Sequence, residues 1–341
     1  MADTIQLRRD TAAQWISKNP VLAAGEPGLA TDTGVLKFGN GVTAWNALAA
    51  FTGGAGGLAL SLNATTDPGA SPPGVLTFYA KPQAQRLMPK FVGPSGLDTT
   101  LQPLLAKNKI GMLAPPGNVA TVTTLGAYTA PTATGTATAR NVTTNNLFGR
   151  MRRLGYVSAA TAGSLTGARV TVAQITAGGA QGAGFFKVIR FGVSDAVVVS
   201  GARMFVGVSA SVAAPTNVEP STLTNVIGVG EGAADSNLKL YYGGSAAQPP
   251  IDLGANFPST TSNTDVYELI LFSPPNTADV YYEVNRLNTG DSAGGVLANN
   301  GGVGLPSTTT LLTYLQAWRC NNTTAQAVGL DIMSDYIETD Y

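Results

Sequence analysis

The side chains available for chemistry in this chain are carboxylates and aromatic rings, because it holds no histidine and a single cysteine, Cys320. Without His there is no imidazole base, no Ser-His or Cys-His nucleophile and no His-containing metal site. Cys320 falls in a predicted strand, where a thiol is ordinarily a small buried hydrophobe. Twenty Asp and Glu remain, and a pair of carboxylates is enough to cleave a glycoside. Most of them, however, adjoin turn formers, as in Asp67-Pro68, Ser194-Asp195 and Asp291-Ser292, where Asp commonly caps or turns the backbone. The group Asp331, Asp335, Glu338 and Asp340 reads as the acids that keep a terminal strand and tail soluble. No catalytic residue is assigned, and the chain is read as non-enzymatic, with a glycan-cleaving depolymerase as the minor alternative.

Two Gly-rich loops invite a cofactor reading. Gly228-Val229-Gly230-Glu231-Gly232 has the look of a phosphate loop, but no Lys follows it and no βα unit surrounds it, so it reads as a strand end. The stretch Gly230 to Asn237, with Glu231, Asp235, Ser236 and Asn237, offers the oxygen ligands that Ca²⁺ prefers without matching a calcium-loop consensus. No cofactor or metal is therefore expected.

The rings are the better candidates. There are 11 Tyr, 11 Phe and 3 Trp, and most Phe fall on apolar faces of the predicted strands. Tyr241, Tyr281 and Trp318 fall on or near polar faces, with Asn237 and Asp279 beside the two tyrosines. A ring stacks on the apolar side of a sugar while Asn and Asp read its hydroxyls. These five residues are assigned to ligand binding. The competing reading packs the rings at a subunit interface.

Composition constrains the scaffold that must hold them. Charged residues make up 12 % of the chain, against about 25 % in ordinary domains, and 20 basic side chains balance 20 acidic ones. Nucleic acid is not expected as a partner, since counterion release needs clustered Lys and Arg. The cluster Arg150, Arg152 and Arg153 reads as local ion pairing. Apolar stretches are short and cut by Gly, so membrane insertion is not expected. The opening Met1-Ala2-Asp3-Thr4 lacks the basic-then-apolar pattern of a secretory signal, which suggests synthesis and assembly in a cytoplasm.

Three zones follow. In residues 1–50, Thr11 caps a predicted helix that stops before Pro20, and Gly39-Asn40-Gly41 predicts a type I′ hairpin. So few apolar residues suggest that this segment needs partner chains to bury a core. Residues 51–100 read as a Gly/Pro-rich linker with a strand or two, one of them between Gly74 and Ala80. Residues 101–341 read as β throughout, with strands over 184–193, 197–208, 223–229, 237–242, 265–272, 279–286, 310–319 and 328–337. A helical turn is considered between Arg150 and Tyr156. Leu238, Leu240 and Tyr242 alternate with Asn237, Lys239 and Tyr241, and Val280, Tyr282 and Val284 alternate with Asp279, Tyr281 and Glu283. One buried and one wet face predicts an antiparallel, jelly-roll-like β-sandwich. No fixed repeat period points to a β-helix.

The segment Ile5-Gln6-Leu7-Arg8-Arg9-Asp10-Thr11-Ala12-Ala13-Gln14-Trp15 resembles the opening of the N-terminal domain of phage tail fibres and major tropism determinant proteins. The resemblance runs on through Asn19-Pro20-Val21-Leu22, Gly25-Glu26-Pro27-Gly28 and Thr31-Asp32-Thr33-Gly34 to Lys37-Phe38-Gly39-Asn40-Gly41-Val42-Thr43-Ala44-Trp45-Asn46. It covers residues 3–50, and nothing beyond them matches the family's lectin-like receptor domain. It implies a β-prism-like trimeric anchor attached to phage tail or baseplate proteins, hence a homotrimer in the virion tail. The expected whole is an all-β receptor-binding protein whose head, residues 101–341, contacts a host surface glycan or outer-membrane component. The alternative is an architectural adaptor without receptor contact.

Overall fold

The computed structural model describes residues 7–51, 63, 65, 68–69, 71–73, 75–83, 86–92, 109–179, 183–274 and 277–339. The chain divides into two compact units, Met1–Asp98 and Thr99–Tyr341. Among the described residues no helix is long and apolar enough to cross a membrane.

The first unit opens with β1 (Arg8–Asp10) and α1 (Ala12–Lys18), followed by β2 (Pro27–Ala30), β3 (Leu36–Phe38) and β4 (Ala50–Phe51), which form one sheet in sequence order. β1 pairs with β2 in parallel, and the later pairs are antiparallel. The helix begins as its sequence dictates. Thr11 is extended and its hydroxyl accepts from the Gln14 N–H at 3.3 Å. It ends where Asn19 turns left-handed at φ 40°, one residue before Pro20.

Two expectations for this segment are corrected. Trp15, Leu22, Ala30, Trp45 and Leu48 bury one another within a single chain. The Trp15 and Trp45 rings stack at 4.1 Å between centroids, 14° between planes. Two indoles supply the apolar area that a count of small residues misses, so a core exists without partner chains. Gly39-Asn40-Gly41 is not a two-residue hairpin either. Asn40 Oδ1 accepts from the N–H groups of Val42 and Thr43 at 3.0 and 2.7 Å, and only Gly41 of the three takes positive φ. The side chain replaces the backbone partner that a hairpin would have supplied.

In the expected linker, β5 (Thr77–Gln83) and β6 (Arg86–Val92) form an antiparallel hairpin, within the strand or two that was expected there. The expected flexible tract Gly53 to Gly57 lies outside the described residues.

The second unit contains β7 (Lys109–Ala114), β8 (Thr123–Gly126), β9 (Thr132–Thr134), β10 (Thr136–Ala139), α2 (Leu147–Arg150), β11 (Leu154–Val157), β12 (Leu165–Arg169) and β13 (Ala173–Ile175). Then come β14 (Phe185–Val193), β15 (Arg203–Ser209), β16 (Val226–Glu231), β17 (Lys239–Gly243), β18 (Ile251–Asp252), β19 (Tyr267–Ser273), β20 (Val280–Arg286), β21 (Asp291–Leu297), β22 (Leu312–Cys320) and β23 (Gly329–Thr339). One sheet runs β10-β11-β23-β14-β19-β20-β21, with β7 on β23 and β8 on β7; the other runs β18-β17-β16-β15-β22-β12-β9, with β13 on β22. Ile189, Phe191, Tyr267 and Leu269 from the first sheet pack in one core with Val206, Ile227, Leu240 and Leu315 from the second. This is the all-β, antiparallel sandwich that the alternation predicted. The helical turn lies earlier than considered, at α2, and Arg150 ends it.

The acids depart from their sequence reading. Asp331 and Asp335 are fully buried rather than solubilising: Asp331 sits among polar partners, and Asp335 meets Lys187 and Tyr128 in an otherwise apolar core. Asp331 accepts from Arg153 Nε at 3.0 Å, Arg140 Nε at 3.2 Å and Ser194 Oγ at 2.6 Å. Asp195, read as a turn residue, is also buried, and its carboxylate holds the Arg319 guanidinium.

Candidate functional site

Side chains of β14, β19, β20 and β21 that point away from the core form rows across the outer face of the first sheet, because a strand turns alternate residues to opposite faces. The registers Phe186↔Phe272, Phe272↔Tyr281 and Tyr281↔Val296 define one row, which is aromatic and apolar. Phe186 meets both Phe272 and Tyr336 edge-on, at 6.3 and 6.4 Å. Tyr281 lies tilted against Phe272 at 6.3 Å. Phe272, Tyr281 and Val296 are 41, 46 and 54 % exposed, so the rings lie open on the surface.

The neighbouring row is Ile270, Glu283 and Gly294. Gly294 brings no side chain beside Glu283, and a trough of about 420 Å³ opens between Phe272, Tyr281, Glu283 and Val296. One row further on, Arg190, Glu268 and Asn285 lie in register. Arg190 Nε donates to Glu268 Oε2 at 2.6 Å, and Asn285 Nδ2 donates to Glu283 Oε1 at 2.7 Å and to Glu268 Oε1 at 3.3 Å. An apolar aromatic strip thus runs beside a strip of carboxylates, an amide and a guanidinium. Such a face stacks a ring and reads hydroxyls at its edge.

The five residues assigned from sequence do not come together. Tyr281 belongs to the first sheet, with Asp279 just before its strand; Tyr241 and Trp318 belong to the second, with Asn237 ahead of β17. Only Tyr281 stands on an open surface. Asp279 Oδ1 accepts from the Asn299 N–H at 3.1 Å, and Asn237 Nδ2 donates to Asp252 Oδ1 at 3.1 Å, so both hold loops.

Tyr241 and Trp318 do face away from the main core, as alternation requires, yet both are buried. They pack with Phe205, Val226 and Cys320 in a second cluster on the outer face of the second sheet, against Leu165 and Leu223. The segment between β15 and β16, including Ala214, Pro215 and Val218, faces Phe205 and Trp318 across a cavity of about 100 Å³. The polar face predicted for Tyr241 and Trp318 is therefore a covered one. A space of that size has room for a few waters but not for a sugar ring. Tyr241 is fixed further by its hydroxyl, which donates to Asp235 Oδ2 at 2.5 Å.

The loop considered for calcium uses its own oxygens. Glu231 holds Arg319, and Asp235 takes the Gly232 N–H at 2.7 Å, Lys239 and Tyr241. Among the described residues, no group of three or more acids or Cys is placed to hold a metal ion. Phe186, Phe272, Glu268 and Asn285 were missed from sequence. Their signal was available as outward positions opposite Tyr281 and Glu283, but only once the strand partners are known.

Residues 5–43 match the family model of the major tropism determinant N-terminal domain. The N-terminal segment is thus similar to the N-terminal domain of major tropism determinants. No curated protein sequence matches the chain. Among solved structures, a protein of unknown function from Shewanella oneidensis is 11 % identical, with a TM-score of 0.44, over 72 % of this chain and 95 % of that one. Lectin II from Ulex europaeus is 13 % identical, with a TM-score of 0.41, over 62 % of this chain and 93 % of that one. Arcelin-5 from Phaseolus vulgaris is 10 % identical, with a TM-score of 0.41, over 68 % of this chain and 98 % of that one.

Proposed function

We propose that this chain is a receptor-binding tail protein of a bacteriophage. Residues 1–50 attach three copies to tail or baseplate proteins, and the sandwich of residues 101–341 meets a glycan or outer-membrane component on the host surface. The observation that carries the reading is the open trough of Phe272, Tyr281, Glu283 and Val296, on a chain whose first segment matches the tropism-determinant domain. Exposed rings in register across neighbouring strands bury apolar ligand surface, while Glu283 and Asn285 accept from and donate to hydroxyls. The head acts by binding, and three heads on one axis compensate for a weak single contact.

Trimerisation is supported by what the first unit leaves exposed. Ile16, Phe38, Val42 and Phe51 are solvent-facing apolar residues on a segment that already has a core. Such residues are what a self-association surface requires. Light scattering on the purified full chain should return three chain masses; a monodisperse monomer at micromolar concentration would remove the trimer from this reading.

The site is tested by Tyr281→Ala in the full-length protein. Loss of one stacking surface, about 0.5–1.5 kcal/mol, weakens competition with virions for host cells by roughly 2- to 13-fold per head. The melting temperature should stay within a degree or two, because half of this ring is already in water. Unchanged competition with unchanged stability would favour an adaptor whose sandwich carries another tail protein.

A further inference from the structure

Lys187 stands at an inward position of β14 between Phe185 and Ile189, and none of its side chain reaches solvent. Asp335 on the adjoining β23 is equally buried, and it pairs with Ile189 while Lys187 pairs with Ile337. Diagonal positions on one face of neighbouring strands put a long side chain in reach of a short one. Lys187 Nζ donates to Asp335 Oδ1, and Tyr128 donates its hydroxyl to Asp335 Oδ2 at 2.5 Å. The surroundings are otherwise apolar. Leu113 lies opposite Asp335, Leu271 opposite Lys187, and the Tyr314 ring stands 5.5 Å from that of Tyr128.

An ammonium has three N–H donors, and among the described residues Asp335 is the one acceptor that Lys187 finds. Burial lowers the Lys187 amine and raises the Asp335 carboxyl, their mutual attraction opposing both shifts. The pair therefore has access to its neutral form, an amine and a carboxylic acid held in contact. The other buried pairs in this unit use Arg153 and Arg319, whose guanidinium groups stay protonated and are not nucleophiles.

We propose that Lys187 and Asp335 form an intramolecular amide, an isopeptide cross-link between β14 and β23 that the folded protein makes unaided. The Lys187 nitrogen lone pair attacks Asp335 Cγ, and the Cγ–Oδ1 bond breaks. Oδ1 leaves as water, carrying the proton of the acid and one proton of the amine; the remaining N–H stays on the amide. No oxidant or activating group is required. The Tyr128 hydroxyl stabilises the charge that develops on Oδ2, and an apolar core that expels the released water opposes the reverse hydrolysis. The bond ties together positions 148 residues apart, in the middle of the larger sheet.

Intact-mass measurement of the full chain tests this directly. The expected mass is one water below that of the sequence, and peptide mapping should find a branched species joining the Lys187 and Asp335 segments. Lys187→Met and Asp335→Ala should each restore the full sequence mass. Tyr128→Phe should slow the mass change after refolding by about 100-fold; an unchanged rate would remove Tyr128 from the step. A wild-type chain that melts cooperatively and carries its full sequence mass overturns the proposal, and so does a lost water that maps elsewhere. The wild-type mass alone decides the matter even if a variant fails to fold.

Discussion

Arg319→Met lowers the stability of the sandwich by about 3–5 kcal/mol, the ordinary consequence of removing one partner from a buried ion cluster. Arg319 is 1 % exposed. Its Nε donates to Asp195 Oδ1 at 2.9 Å and its Nη2 to Asp195 Oδ2 at 2.6 Å, while Nη1 donates to Glu231. Asp195 in turn accepts the Gly329 N–H at 2.7 Å, which fixes the start of β23. Burial already raises the Glu231 carboxyl, and Arg319 is the main influence in the opposite direction. Without the guanidinium, the main influence opposing burial at Glu231 is gone, and the Asp195 carboxyl keeps only the Gly329 N–H among its described partners. For a unit of this size the melting temperature falls by roughly 6–20 °C, read by differential scanning calorimetry. Arg152→Ala is the control, since that side chain is exposed and, among the described residues, donates only to the Pro116 carbonyl, at 3.3 Å. It should shift stability by no more than about 0.5 kcal/mol. Equal melting of the two variants would show that the Arg319 cluster does not stabilise the fold.

The cluster also marks where local reading of the sequence stops. The strand over Tyr267–Ser273 was visible as a short apolar run closed by a Ser-Pro-Pro-Asn turn, and its partner Val280–Arg286 by the alternation of Val280, Tyr282 and Val284 with Tyr281 and Glu283. Thr11 announced its helix by residue type alone. Tyr281 was placed on the correct face by the same period of two. Strands such as Thr132–Thr134 and Thr136–Ala139 gave no such pattern. They are Thr and Ala throughout, and they are strands because Leu165–Arg169 and Leu154–Val157 hold them. Tyr241 fails for a different reason. Its direction was right, but the cover over its face comes from a separate segment that no local period announces. Lys187 did leave a trace, a charge between Phe185 and Ile189 on an apolar row. What the row could not state was the partner, which lies on the last strand.

Trp15→Ala unfolds the first fifty residues while the sandwich melts unchanged. Trp15 is 2 % exposed, stacks on Trp45 at 4.1 Å, and donates its indole N–H to the Leu29 carbonyl at 2.9 Å. Gly28 shows how closely the pair is enclosed, since a Cβ there would stand 2.7 Å from Trp45 Cζ3. Truncating a buried Trp costs about 3–5 kcal/mol. A segment of this length has roughly 3–8 kcal/mol of stability in total, so the loss takes most of what exists. Limited proteolysis should cut the variant within residues 1–50 and leave the sandwich intact, and light scattering should show whether self-association goes with it. Trp15→Phe keeps a ring over Trp45 and loses only the bond to Leu29, so it should remain protected. If Trp15→Ala is as resistant as the wild type, contacts between copies hold the segment together, and its own small core is secondary. If it is cut but still self-associates, the chains join through residues other than Ile16, Phe38, Val42 and Phe51, because those side chains owe their placement to the fold that Trp15 supports.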